Sequence, residues 1–92
     1  MAARPCDHFA LATHLETSER VCEECIEIGS GWVHLRLCLI CGHVGCCDSS
    51  PNKHATQHAR VSGDPVVRSI EPEEAWGYCY VDEVFVDDVR SL

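Results

Sequence analysis

The sequence predicts a small α+β domain in which short strands surround one central helix, and three observations support this class. Residues 32–38 alternate in character and are rich in β-forming side chains, which indicates a strand. Residues 51–60 follow a serine that can cap a helix and begin with a proline, which suits the first helical position. A further strand is predicted at residues 66–70, and residues 76–81 and 83–86 are predicted to give one or two more.

Each element has a local justification. In the strand at residues 32–38, Trp32, His34, Arg36 and Cys38 should share one face, because successive side chains of a strand point to opposite sides. The helix should end near Gly63, and the last two strands should be separated by a break near Asp82. Residues 10–20 have no clear period and are expected to form a loop, whereas residues 71–74 form an acidic turn.

The two ends of the chain carry less pattern. Cys6 and His8 lie two residues apart, which suits an extended segment with both side chains on one face. Residues 87–92 are expected to fray. The 92 residues allow one domain, spanning residues 1–92 with its core at about residues 6–86, and a core this small usually needs disulfides or a structural metal.

Composition restricts the function. The formal net charge is −8 and no basic cluster is present, so nucleic acid is not an expected partner. No stretch approaches the length of a membrane span, so no membrane partner is expected. The first residues lack the apolar run of a signal peptide, which predicts a cytoplasmic protein with reduced thiols. In that setting a C-x2-C pair indicates a metal site or a redox centre.

The cysteines and histidines favour metal binding. The chain has eight Cys and six His, including C-x2-C pairs at residues 22–25 and 38–41. His54 and His58 lie four residues apart and should project from one face of the predicted helix. Together with Cys6, His8, Cys46 and Cys79, these residues make ten candidate ligands, enough for more than two zinc ions. Thioredoxin-like redox chemistry competes for a C-x2-C pair, but it does not explain the histidines.

Four other residues are not expected to bind metal. His14 lies in the unpatterned segment, His34 on a strand and His43 in a loop, positions typical of surface or packed histidines. Cys47 directly follows Cys46 and cannot easily join the same metal with good geometry, so we predict a free thiol.

The order of these motifs is C-x2-C, Trp, C-x2-C-G, G-C, His-x3-His and Gly-x-Pro. It resembles the ubiquitin-specific-protease-type (UBP-type) zinc finger, and most closely its small stand-alone bacterial forms, over about residues 6–86. The resemblance implies a small twisted antiparallel sheet with one main helix, cross-braced by up to three zinc ions, and by two at minimum. It also implies three ligand sets: Cys22, Cys25, Cys46 and His54; Cys38, Cys41, His58 and Asp64; Cys6, His8, Cys79 and Asp82.

Two of these positions depart from the family's pattern. Asp64 stands where the family often has His, and Asp82 where it often has a second Cys. Carboxylate oxygen is an acceptable zinc ligand, and with it every proposed site carries the same net charge, so we expect both to bind. The alternative is that each Asp is a turn residue and water takes the fourth position.

The resemblance also bears on function. The family's finger is a binding module without a hydrolytic role, so no enzyme is predicted; a zinc hydrolase would require an open metal position. Its best-known ligand is the free Gly-Gly tail of ubiquitin, held by an Arg that here is Asp48, which should repel a carboxylate. Trp32, Tyr78 and Tyr80 are candidates for lining a ligand groove, whereas Trp76 is expected to join the core.

Two functions therefore remain open at this point. The first is a zinc-built protein-interaction module that has no tail pocket and whose protein or peptide partner is unknown. The second is a binder of some free protein C-terminus, in which Arg36 or Arg68 replaces the lost cation.

Overall fold

The computed structural model describes residues 6–91, so residues 1–5 and Leu92 of the predicted domain lie outside the described residues. The fold is α+β, as predicted, with one main helix and a five-stranded antiparallel sheet. Its elements are α1 (Glu23–Glu27), β1 (Leu35–Cys38), β2 (Val44–Cys46), α2 (His54–Ser62), β3 (Val66–Ser69), β4 (Gly77–Cys79) and β5 (Val84–Val86), with 3₁₀ helices at Asp7–Leu11 and Val89–Ser91.

The strands lie in the order β2-β1-β3-β4-β5, and every neighbouring pair is antiparallel. The register places Val67 opposite Tyr78, and Tyr78 opposite Phe85. Their sequence neighbours point to the other face, where Val66 and Cys79 are fully buried. The sheet therefore has a core face and a second face that carries aromatic side chains.

The core face is closed by segments from both ends of the chain. A Cβ atom placed on Gly77 would lie 2.5 Å from Val89 Cγ1 and 2.9 Å from Phe9 Cε1, so only glycine fits between these two side chains. Val89 is 4% exposed and its N–H donates to the Ala75 carbonyl at 2.9 Å. The prediction that residues 87–92 fray is wrong for the described part of this segment, because Val89 is packed and hydrogen-bonded.

Helix α2 begins later than predicted. Lys53 adopts a left-handed conformation with φ 51°, so the helix starts at His54 and not at Pro51. Ser50 does not cap it, because the Ser50 hydroxyl accepts a hydrogen bond from the Val33 N–H at 2.8 Å. The predicted end is confirmed: Gly63 takes the left-handed position with φ 79° after Ser62.

Three further local predictions differ from the structure. The strand predicted at residues 32–38 covers only Leu35–Cys38, and Val44–Cys46, where no strand was predicted, form β2. The first C-x2-C pair lies at α1, a five-residue helix that was not predicted: Cys22 immediately precedes it and Cys25 lies within it. His8 lies in a 3₁₀ helix and not in an extended segment.

Arg68, which is only 5% exposed, holds the loop at residues 12–20 in place. Its guanidinium donates to the backbone carbonyls of Leu15, Ser69 and Glu74 at 2.8, 2.8 and 2.9 Å. It also pairs with the Glu16 carboxylate at 3.2 Å. Arg68 is therefore a structural residue and does not supply a free cation to a ligand.

Candidate metal centres

The first centre consists of Cys22, Cys25, Cys46 and His54, all buried. Cys22 immediately precedes α1, Cys25 lies within it, Cys46 ends β2 and His54 begins α2. His54 Nδ1 lies 3.3 Å from the Sγ atoms of Cys22 and Cys25 and 3.5 Å from Cys46 Sγ. The His54 backbone N–H also donates to Cys46 Sγ at 3.1 Å, an interaction that favours the thiolate.

The second centre consists of Cys38, Cys41, His58 and Asp64, and it is more open because Cys41 is exposed. His58 lies one helical turn after His54, so α2 supplies one ligand candidate to each of two centres. His58 Nε2 is 3.2 Å from Cys41 Sγ and 3.8 Å from Asp64 Oδ2. Burial, together with a neighbouring histidine, lowers the pKa of His58, which keeps the imidazole in its neutral, metal-binding form.

The third centre consists of Cys6, His8, Cys79 and Asp82, and it joins the N-terminal segment to the β4–β5 hairpin. Asp82 Oδ2 lies 2.8 Å from Cys6 Sγ and 3.0 Å from His8 Nδ1. Hydrogen bonds from these two residues lower the pKa of the Asp82 carboxyl. Asp82 is therefore an ionised oxygen donor, suitable for a cation.

The donor atoms of the first centre have the spacing of a tetrahedral site. With zinc–sulfur distances of about 2.3 Å and zinc–nitrogen distances of about 2.0 Å, the edges of the tetrahedron are roughly 3.8 Å for S···S and 3.5 Å for S···N. Cys25 Sγ and Cys46 Sγ are 3.8 Å apart, and the S···N distances in the first centre are 3.3–3.5 Å. The donor set of thiolate, imidazole and carboxylate also suits zinc.

Each centre contains a buried thiol that holds its proton in the absence of a cation. Burial raises the pKa of Cys6 and of Cys22 to about 12, and that of Cys38 to about 11. A thiolate in such a position is costly unless a positive charge compensates it. Binding of a cation therefore displaces a proton from the buried thiol, and the bound cation supplies the positive charge that the thiolate needs.

The four residues that were expected to stay outside the metal sites do so within the described residues. Cys47 is buried beside the first centre and its Sγ lies 3.5 Å from the Ser50 hydroxyl. His14 and His34 are exposed. His43 does not belong to a cluster, but its Nε2 lies 2.6 Å from Glu24 Oε1 and its ring stacks on His58, contacts that sequence analysis missed.

A groove of about 700 Å³ crosses the second face of the sheet, between α2 and the β4–β5 hairpin. Four aromatic rings in contact form one wall: Trp76, Phe85, Tyr78 and Tyr80, with centroid separations of 5.5, 4.7 and 5.2 Å. The Arg36 guanidinium lies 4.4 Å above the Trp76 ring. The groove thus combines a large apolar surface with a cation on its wall.

The groove includes some predicted residues and not others. Tyr78 and Tyr80 line it, as predicted, whereas Trp32 packs against the core cluster and is not among its lining residues. Trp76 lines it, contrary to the expectation that it would join the core. Asp48 lies in the groove as an exposed residue, and its Oδ1 accepts a hydrogen bond from the Thr56 hydroxyl at 2.5 Å.

Together, the fold and the three clusters define a small metal-braced α+β domain of the zinc-finger class. The family model for the Zn-finger in ubiquitin-hydrolases and other proteins matches residues 22–91, and the chain belongs to this family. The resemblance drawn from the motifs is therefore confirmed.

A solved structure agrees with this assignment. The solution NMR structure of protein RPA1320 from Rhodopseudomonas palustris superposes with a TM-score of 0.82 at 51% identity, covering 98% of this chain and 87% of that one. A search of curated proteins gave no match. Among the residues that the structure describes, there is no helix with the length and apolar character needed to cross a membrane.

Proposed function

We propose that each of the three centres binds one structural zinc ion, giving three per chain and two at minimum. The support is the approach of four donor atoms within 4.8 Å of one another in every cluster, with donor types that zinc prefers. Asp64 and Asp82 complete the second and third centres. Zinc with four protein ligands has no open position for substrate or water, so we propose that the three centres are structural and have no catalytic role.

The metal assignment is tested by counting zinc. The unaltered protein should hold three zinc ions by atomic emission, and Asp64→Ala and Asp82→Ala should each weaken one of them. Glu73→Ala is a matched control, because Glu73 is an exposed acidic residue outside the clusters. An unchanged zinc count and chelator resistance in both Asp variants would contradict ligation by these carboxylates.

With three closed sites, the domain acts as a protein-interaction module, and the groove is the surface that carries this proposal. The groove has a volume of about 700 Å³ and four aromatic side chains in its wall, which makes it large enough for several residues of an extended peptide. The net charge of −8 disfavours nucleic acid and attracts basic partners. A zinc hydrolase and a thiol redox protein are less favoured, since both would need a centre with an open or reactive position.

A binder of a free protein C-terminus is the second candidate, and Arg36 is the observation that favours it. Its guanidinium lines the groove, stacks on Trp76 and donates one hydrogen bond, from Nη1 to the Leu35 carbonyl at 2.9 Å. The remaining N–H groups are suited to a carboxylate. Asp48 stands in the same groove and opposes a carboxylate close to it, which disfavours the ubiquitin tail.

A titration separates these candidates. The zinc-loaded protein is titrated with a peptide ending in Arg-Gly-Gly, once as the free acid and once amidated, while tryptophan fluorescence reports on Trp76. Binding of the free acid alone would support C-terminus recognition, and Arg36→Gln should then abolish it. Binding of neither peptide by the unaltered protein or by Asp48→Arg would exclude Gly-Gly tails and leave the module with a different partner.

A further inference from the structure

His43 lies outside the three clusters, yet it contacts two elements that carry candidate ligands. Its ring stacks on the His58 ring with centroids 4.1 Å apart and an interplanar angle of 14°. Its backbone carbonyl accepts a hydrogen bond from the Cys38 N–H at 2.7 Å. His43 therefore touches the second centre twice, once through a ring and once through the backbone.

The other edge of the same imidazole reaches the first centre. His43 Nε2 lies 2.6 Å from the Oε1 atom of Glu24, and Glu24 is located in α1 between Cys22 and Cys25. The contact is partly buried, with 27% of the His43 side chain and 43% of the Glu24 side chain exposed. A continuous chain of contacts thus runs from α1 through Glu24 and His43 to His58.

Helix α1 is the element that can transmit the effect of metal binding from the first centre to the second. It has five residues, and a helix of this length does not form on its own in water. Zinc in the first centre would fix Cys22 at the start of α1 and Cys25 within it, and so restrain Glu24, which lies between them. In a first centre without metal, α1 would lose that restraint and Glu24 would no longer hold the His43 ring.

We propose that His43 is a positioning residue that orients His58 for metal binding and, through Glu24, makes the second centre bind metal more tightly once the first is filled. This inference rests on the proposed zinc binding. Because coupling between two binding sites is reciprocal, the first centre should also bind more tightly when the second is filled. Partners that orient a metal-binding histidine are typically worth about 10–100-fold in metal affinity.

Cadmium-113 NMR tests the proposal on the full chain, because the cadmium shift depends on the number of sulfur ligands and separates the first centre from the others. The second-centre resonance is assigned by its loss in Cys41→Ala, and a graded chelator competition then gives the affinity of each centre. We expect His43→Ala and Glu24→Ala each to weaken the second centre by about 10-fold or more. His34→Ala is the matched control, since His34 is an exposed histidine that lies before β1 and outside the three clusters.

Two further variants distinguish positioning from a general loss of stability. The double variant His43→Ala with Glu24→Ala should lose no more metal affinity at the second centre than the more affected single variant, since both changes break the same chain of contacts. His43→Phe keeps a ring against His58 but removes the hydrogen bond to Glu24, so it should weaken the second centre about as much as Glu24→Ala does and lose the dependence on the first centre.

The results that overturn the proposal are equally specific. Second-centre affinity in His43→Ala equal to that of His34→Ala, or additive losses in the double variant, would overturn the coupling while leaving the zinc assignment intact. Absence of a second-centre resonance from the unaltered protein would overturn the zinc assignment and the coupling together.

Discussion

Gly45 lies where strand β2 packs closely against the main helix, and replacing it should disturb the first metal centre. A Cβ atom on this residue would lie 2.7 Å from the Ala55 nitrogen and 2.9 Å from the Ala55 Cα. Ordinary contacts of this kind begin at 3.4 Å, so α2 would have to move away by about the difference, 0.7 Å, and these are backbone atoms that cannot rotate aside.

Gly45→Ala therefore moves two ligand candidates relative to each other. Cys46 follows it directly in β2, and His54 precedes Ala55 in α2, so a shift of this size enlarges a site whose S···N edge is now 3.5 Å. Overpacking of this kind costs about 1–3 kcal/mol. That cost corresponds to a decrease of roughly 5- to 150-fold in the folding equilibrium, and first-centre metal affinity should fall with it.

Gly31→Ala is the matched control, because a Cβ atom there meets nothing within 4 Å and its φ is not left-handed. Urea unfolding of the zinc-loaded proteins gives the stability change, and chelator competition gives the metal affinity. If Gly45→Ala matched Gly31→Ala in both measurements, α2 would not be seated against β2 as described, and the argument for the geometry of the first centre would fail.

Three further outcomes are expected. Cys47→Ser should leave the zinc count unchanged whereas Cys46→Ser should lower it by one, as measured by metal analysis after gel filtration. Arg68→Met should lower the free energy of unfolding by about 3 kcal/mol, because a buried guanidinium with three carbonyl partners is lost; an effect below 1 kcal/mol would contradict its structural role. Zinc affinity should rise with pH from 5 to 9, because binding displaces a proton from buried thiols such as Cys22, whose pKa burial raises to about 12. Calorimetry in buffers of different ionisation heat should detect at least one proton released per zinc ion bound. A measurement of no proton release would refute this prediction.

The candidate ligands were accessible from the sequence because metal ligands must recur at spacings that a turn or a helix allows. The C-x2-C pairs and the His-x3-His pair carry such spacings, and the structure brings all three predicted sets together. The end of α2 was predictable for a similar reason, since Gly63 supplies the left-handed residue that ends it.

The features that could not be predicted depend on long-range contacts. The start of α2 was misplaced because Ser50 is engaged by Val33, 17 residues earlier, instead of capping the helix. The segment near Val89 was expected to fray, because its hydrogen bond to the distant Ala75 carbonyl has no signal in the local sequence. Glu24 lies in the short helix α1 and His43 in the loop before β2, and neither segment has a periodic pattern. The contact between the two side chains could therefore not be predicted from the sequence.

The aromatic wall of the groove was only partly predictable. Tyr78 and Tyr80 flank a candidate ligand and attract notice, but Phe85 belongs to the next strand and reaches the wall only through the β4–β5 register. Trp32 and Trp76 exchange their expected places, because strand β1 starts after Trp32 and leaves it against the core.

The glycine at position 77 has a consequence for how the domain can be joined to other polypeptides. Phe9 and Val89 both pack against it on the core face, so the described chain enters and leaves the fold on one side, and the groove opens on the other. Domains whose two ends lie together tolerate splicing into a surface loop of a host protein. A host attached in this way would leave the aromatic wall of the groove accessible.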